Sequence, residues 1–165
     1  MSDELKAAAS ALLDLCRARG LKLATAESCT GGLVAGALTE IAGSSDVFDR
    51  GFVTYSNTAK QQMLGVPADI LREHGAVSRQ TAEAMVHGAL TKSVADVVVA
   101  ITGVAGPSGG SADKPVGLVH FAAATRAGAA THHEARYGDI GRAEVRQKSV
   151  FQALAMLRTL AEQTS

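Results

Sequence analysis

Val97-Val98-Val99-Ala100-Ile101 is an unbroken apolar run, followed at once by Thr102-Gly103-Val104-Ala105-Gly106-Pro107-Ser108-Gly109-Gly110-Ser111. β-Branched residues dominate the run and nothing polar alternates within it, the pattern of a strand covered on both faces. Such strands belong to sheets that carry helices on each side. Upstream, Ser78 can cap a helix to about Lys92, Pro67 can start a shorter one, and Asn57 can cap one through Leu64. Phe52-Val53-Thr54-Tyr55 and Lys22 to Ala26 read as strands. Thr30-Gly31-Gly32 opens a helix to about Ile41. In the first helix, from about Asp3 to Arg19, Leu5, Ala9, Leu12 and Cys16 share one face of a 3.6-residue period, and Gly20 ends it. Downstream, Val116 to Ala124 and Thr131 to Tyr137 read as strands joined by a hairpin at Arg126-Ala127-Gly128. A last helix spans about Arg142 to Glu162, with Val150, Leu154, Leu157 and Ala161 on one face. The alternation predicts a three-layer α/β/α sandwich with a mixed five-stranded sheet, the fourth strand antiparallel because a hairpin joins it to the fifth.

Composition narrows the function. The 165 residues fit one domain, 1–165. With four Phe, two Tyr and no Trp, the core must be built from Ala, Val, Leu and Ile. Lys plus Arg and Asp plus Glu number 16 each, so the long-range field of a general nucleic-acid binder is missing. Two cysteines, Cys16 and Cys29, exclude a disulfide-rich secreted scaffold. The start MSDELKAAAS lacks the basic-then-apolar order of a signal peptide. No apolar run approaches the ~18 residues of a membrane span. The expectation is a cytoplasmic protein acting on a small molecule, with neither nucleic acid nor membrane as partner and a homodimer as the default assembly.

In open α/β sheets, sites form beyond the carboxyl ends of the parallel strands. Here those ends are Glu27-Ser28, Tyr55-Ser56 and Thr102-Gly103. Ser28 lies in a tight strand-to-helix turn, where a hydroxyl projects from the sheet edge and the following N–H groups, of Thr30, Gly31 and Gly32, face the same space. That suits an acyl-transfer nucleophile beside an oxyanion hole. The turn is not a GxSxG elbow, since no glycine stands two residues before the serine. Lys60, near the start of its helix, is disfavoured there as a cation. Partial burial lowers its pKa further, which would make it a base for Ser28. The loop carrying Gly103, Gly106, Gly109 and Gly110 suits a phosphate or ribose, and an arginine at Arg142 could fork onto a phosphate.

Other patterns carry less. Ser111-Ala112-Asp113-Lys114 matches SxxK, but Pro115 argues for extended chain rather than the helix start that motif needs. His132 and His133 are neighbours on a strand and face opposite sides, so they do not easily share a metal ion. His74, His87 and His120 read as isolated. Cys29 could be the nucleophile but has no nearby histidine to activate it. No metal site and no cofactor are expected.

The strings AESCTGG (26–32), GFVTYSN (51–57) with Lys60, HGAVS (74–78), ITGVAGPSGG (101–110) and KPVG (114–117) together resemble the family of the carboxy-terminal domain of the competence/damage-inducible protein CinA. The resemblance runs from about Leu5 to Leu160 and lacks the amino-terminal domain of full-length CinA proteins, so it points to the stand-alone nicotinamide-nucleotide amidase form. It implies hydrolysis of nicotinamide mononucleotide to nicotinate mononucleotide and ammonia, without a metal or organic cofactor. It implies Ser28 as nucleophile, Lys60 as its dyad partner, and Tyr55 and Thr102 as supports of catalysis or substrate placement. Arg142 matches the arginine of the family's Gly-Asp-Arg segment. Here Ile140 and Gly141 intervene after Asp139, which leaves Arg146 as an alternative. Two other readings stay open at this point: a nucleotide-binding regulatory module without turnover, and a pyrophosphate hydrolase, for which the chain offers no clustered carboxylates to hold Mg²⁺.

Overall fold

The computed structural model describes residues 1–164. In chain order the elements are α1 (Asp3–Arg19), β1 (Leu23–Glu27), α2 (Leu33–Thr39), β2 (Phe48–Val53), α3 (Asn57–Leu64), α4 (Ala68–His74), α5 (Arg79–Thr91), β3 (Val97–Gly103), β4 (Leu118–Thr125), β5 (Ala130–Arg136) and α6 (Arg142–Gln163). A single 3-10 turn, Ser44–Asp46, precedes β2. The sheet order is β2-β1-β3-β4-β5. Strands β1, β2 and β3 run parallel, and β4 is antiparallel to both β3 and β5. The mixed sheet with its reversed fourth strand is the one the hairpin predicts.

Helices α1, α2 and α6 cover one face of the sheet, and α3, α4 and α5 form the layer on the other. Strand β3 explains the apolar run. Val97, Val99 and Ile101 enter the core against α1 and α6, while Val98 and Ala100 enter the core against α5. All five are fully buried. Burying each large aliphatic side chain contributes ~1.5–3 kcal/mol, so both faces select apolar residues and the usual alternation vanishes.

The structure moves several element ends. Strand β2 starts at Phe48, not Phe52, because an edge strand tolerates the exposed Arg50 and Gly51 that interrupt its pattern. Helix α2 starts at Leu33, not Thr30, since Gly31 and Gly32 take φ values of 57° and 102° and break the helical run. Helix α3 is capped by Ser56 rather than Asn57, the Ser56 hydroxyl accepting the Ala59 N–H at 3.0 Å. Ser78 caps α5 as expected. At Gly88, α5 passes so close to the end of α3 that a Cβ would stand 1.9 Å from the Leu64 carbonyl oxygen. Among the described residues, no helix is long and apolar enough to cross a membrane.

Candidate active site

Alternation at the end of β1 sets the site. Leu23 packs towards α1 and α2, and Ala24 and Ala26 pack towards α5. Glu27 therefore faces α2, and the next side chain, Ser28, faces α3. The Ser28 N–H donates to the Ile101 carbonyl at 2.9 Å, and the Thr54 N–H donates to the Glu27 carbonyl at 2.9 Å. The carboxyl ends of β1, β2 and β3 are thus laced together.

Lys60 sits one turn into α3, its N–H donating to the Ser56 carbonyl at 3.1 Å. Its side chain lies over the sheet edge, with Nζ 3.0 Å from Ser28 Oγ and 3.4 Å from the Tyr55 carbonyl oxygen. Only 1% of Lys60 is exposed. No carboxylate forms an ion pair with it among the described residues. Burial therefore holds its pKa below the usual 10.5, with the Cys29 sulfur acting in the opposite direction. The shift favours the neutral form, and a neutral amine at hydrogen-bond distance from a serine hydroxyl is equipped to take that hydroxyl's proton.

Ser28, Lys60, Tyr55, Thr102, Gly103 and Arg142 line one cavity of about 170 Å³. Asn57, Cys29, Ala76 and Val77 add to its wall, and the sequence reading had not placed Asn57, Ala76 or Val77 there. A larger groove of about 330 Å³, lined by Leu5, Leu33, Ala37 and Val150 among others, holds Glu40 as its one ionisable side chain. The chemistry lies in the smaller cavity. Thr102 donates its hydroxyl to the Ala76 carbonyl at 2.8 Å and so fastens the loop that closes one side. That loop is also held by Lys114 Nζ, which donates to the His74 carbonyl, and by the Ser78 and Thr81 hydroxyls, which donate to the Gly75 carbonyl.

The two arginines separate clearly. Arg142, the first residue of α6, donates to the Gly106 carbonyl and to the Tyr55 hydroxyl, both at 2.9 Å. Arg146 donates to the carbonyls of Cys29 and Thr30 at 3.2 and 3.3 Å, gripping the Ser28 loop from outside the cavity. Gly106 contributes its carbonyl to Arg142. Gly109 and Gly110 lie outside the lining; a Cβ on Gly110 would press on the Lys114 carbonyl and the Val116 nitrogen at 3.1 Å.

In the turn itself, the Gly31 N–H donates to the Ser28 carbonyl at 3.0 Å, and Thr30, Gly31 and Gly32, expected around an oxyanion, lie outside the cavity lining, Gly32 on the larger groove, because the left-handed glycines turn the chain away towards α2. Glu27, which the sequence reading passed over, is fully buried. It accepts the Thr30 hydroxyl at 2.7 Å and the N–H groups of Val34 and Ala35 at 2.9 and 3.0 Å. An acid ending a buried strand, before a helix preceded by two glycines that cannot cap it with a side chain, is the available signal.

The lesser patterns resolve too. Burial pushes the Cys29 thiol up to about 12, so it stays protonated and a poor nucleophile. Lys114 N–H donates to the Ser111 hydroxyl in a loop, not at a helix start. His120 is not isolated: its Nδ1 meets His132 Nε2 at 2.9 Å across β4 and β5, while His133 turns to Phe121 on the other face. Among the described residues, no three His, Cys, Asp or Glu side chains gather as a metal would require.

The sequence model of the CinA C-terminal domain matches residues 5–161. Nicotinamide-nucleotide amidohydrolase PncC of Escherichia coli strain K12 is 53% identical over 142 residues, covering 86% of this chain and 85% of that protein. A CinA-like protein of Synechococcus sp. strain RCC307 is 54% identical over 151 residues, covering 91% of this chain but 36% of that protein. The chain spans about a third of the length of this and other long relatives. The crystal structure of competence/damage inducible protein CihA from Agrobacterium tumefaciens superposes with a TM-score of 0.95 at 58% identity, covering 97% of each chain. A family match over residues 5–161, with a solved relative that superposes over nearly the whole length, makes this chain a member of the CinA C-terminal domain family.

Proposed function

We propose that this protein is a nicotinamide-nucleotide amidase that hydrolyses nicotinamide mononucleotide to nicotinate mononucleotide and ammonia through Ser28 and Lys60. The observation that carries the reading is the 3.0 Å approach of a buried amine to the Ser28 hydroxyl at the mouth of a cavity. The identity to PncC over most of both chains supports the substrate. Lys60 takes the proton as Ser28 Oγ bonds to the carboxamide carbon. The oxyanion takes its hydrogen bond from the backbone of the Ser28 turn; the Gly31 N–H is committed to the Ser28 carbonyl and Gly32 lines the larger groove, which leaves the N–H of Thr30. Each such donor is worth ~3–4 kcal/mol of barrier. The C–N bond then breaks, the Lys60 ammonium returns its proton to the departing ammonia, and water hydrolyses the acyl-enzyme by the same route. The positive pyridinium ring makes this carboxamide more electrophilic than an ordinary amide.

A cavity of about 170 Å³ is below the ~300–1,000 Å³ of sites that enclose drug-sized ligands. It suits the carboxamide end, with ribose and phosphate towards Arg142, Tyr55 and the Gly103–Gly106 segment at the rim. Two free, buried thiols fit a reducing cytoplasm. The test is ammonia release from nicotinamide mononucleotide, with and without EDTA. The expected result is turnover indifferent to EDTA and lost in Ser28→Ala with the circular dichroism spectrum unchanged. Full activity in that variant, or abolition by EDTA, refutes the mechanism.

A further inference from the structure

Helix α2 begins without a cap of its own. Its N-cap residue is Gly32, which has no side chain to accept an N–H. The orphan N–H groups at a helix start need acceptors when buried. Here they find one six residues before the first helical residue, on the end of β1. Glu27 takes the Val34 and Ala35 N–H groups on its two oxygens, and one of those oxygens also takes the Thr30 hydroxyl. All three bonds are donated to it, as an ionised carboxylate requires. No Lys, Arg or His pairs with it among the described residues. The helix start and the hydroxyl carry its whole compensation.

The consequence reaches Ser28. The turn from Ser28 to Gly32 is a short bridge whose two ends are pinned to one side chain. Glu27 precedes it, and Thr30 and the first turn of α2 close back on the same carboxylate. Gly31 and Gly32 supply the left-handed φ values of 57° and 102° that let the chain fold back this way. Arg146 holds the outer side of the same turn through the Cys29 and Thr30 carbonyls. With these anchors the direction of Ser28 Oγ towards Lys60 is fixed before any substrate arrives.

We propose that Glu27 is a positioning residue for catalysis: its carboxylate, bridging Thr30 and the first turn of α2, sets the Ser28 turn in the geometry that brings Oγ to Lys60. This rests on the amidase reading, and two readouts separate the failures. Glu27→Gln keeps the shape but places an amide where only acceptors fit. Its crystal structure should show Ser28 Oγ withdrawn beyond hydrogen-bond distance of Lys60 Nζ. Its kcat on nicotinamide mononucleotide should fall about 100-fold, as a displacement near 1 Å costs, with KM within about twofold. Thr30→Val, which removes one donor and no charge, should lose about tenfold in kcat, and Thr30→Ser should recover most of that loss. A purely structural Glu27 would lower the melting temperature and leave both kcat of the folded protein and the dyad distance alone; that result overturns the proposal. If the unmutated enzyme releases no ammonia, the amidase reading fails, and the dyad distance in Glu27→Gln still decides the role of Glu27. If Glu27→Gln does not fold, the Thr30 pair decides, and an unchanged kcat in Thr30→Val overturns it.

Discussion

Replacing Lys60 by Met should separate activity from stability. The amine lies at 3.0 Å from Ser28 Oγ and 3.4 Å from the Tyr55 carbonyl, and is 1% exposed. Losing those two contacts costs ~1 kcal/mol each at most. Removing a buried amine returns ~1–3 kcal/mol. Met fills a comparable space, so the terms offset and the stability should change by less than ~1 kcal/mol, or ~2–4 °C in melting temperature. The base itself is worth ~10²–10⁴ in rate, or about 3–5 kcal/mol of barrier. The assay is kcat for ammonia release beside scanning calorimetry. Lys60 also leaves a signature in pH. Its folded-state pKa is depressed below 10.5 by burial, so between that value and 10.5 the unfolded chain binds more protons. Stability should therefore rise with pH across this window, and be lost as pH falls through the folded-state pKa, in the unmutated protein but not in Lys60→Met. The rate should rise with pH as the amine sheds its proton and then level. A rate loss below tenfold, or a rate that climbs as pH falls, would refute the role given to Lys60.

Arg142→Ala removes a guanidinium that spans the Gly106 carbonyl and the Tyr55 hydroxyl. A charge-assisted contact to phosphate is worth ~1.5–3 kcal/mol, so KM for nicotinamide mononucleotide should rise by ~10–100-fold. Nicotinamide riboside, which lacks the phosphate, should be little affected; equal losses on both would remove the phosphate from this arginine. Gly88→Ala places a methyl 1.9 Å from the Leu64 carbonyl oxygen. Overpacking of that kind costs ~1–3 kcal/mol, and because Leu64 ends the helix that carries Lys60, kcat should fall together with the melting temperature. Calorimetry and the ammonia assay read both, and an unchanged melting temperature would show that α3 and α5 can part without cost.

The alternation of elements, the apolar run at Val97–Ile101 and the hairpin after Thr125 are local signals, and they were enough to predict the layers and the reversed β4. The start of strand β2 is not legible locally because Asp49, Arg50 and Gly51 are acceptable only at a sheet edge, and edge position is a property of the whole sheet. Ser28 and Lys60 stood out by residue type at strand and helix ends, 32 positions apart. Their meeting follows from β1 lying beside β2 and from α3 returning over the same edge.

What the sequence alone determined is the set of chemical groups and the strand ends on which they stand, since these depend on period, propensity and turn residues close in the chain. The tertiary structure decided which groups touch. It put Arg142 in the cavity and Arg146 behind it, although both lie on one helix a single turn apart. It paired His120 with His132 and gave Glu27 the orphaned N–H groups of α2. Such choices depend on distances of a few ångströms between segments far apart in sequence, where packing of the two layers against the sheet, rather than any local preference, fixes the answer.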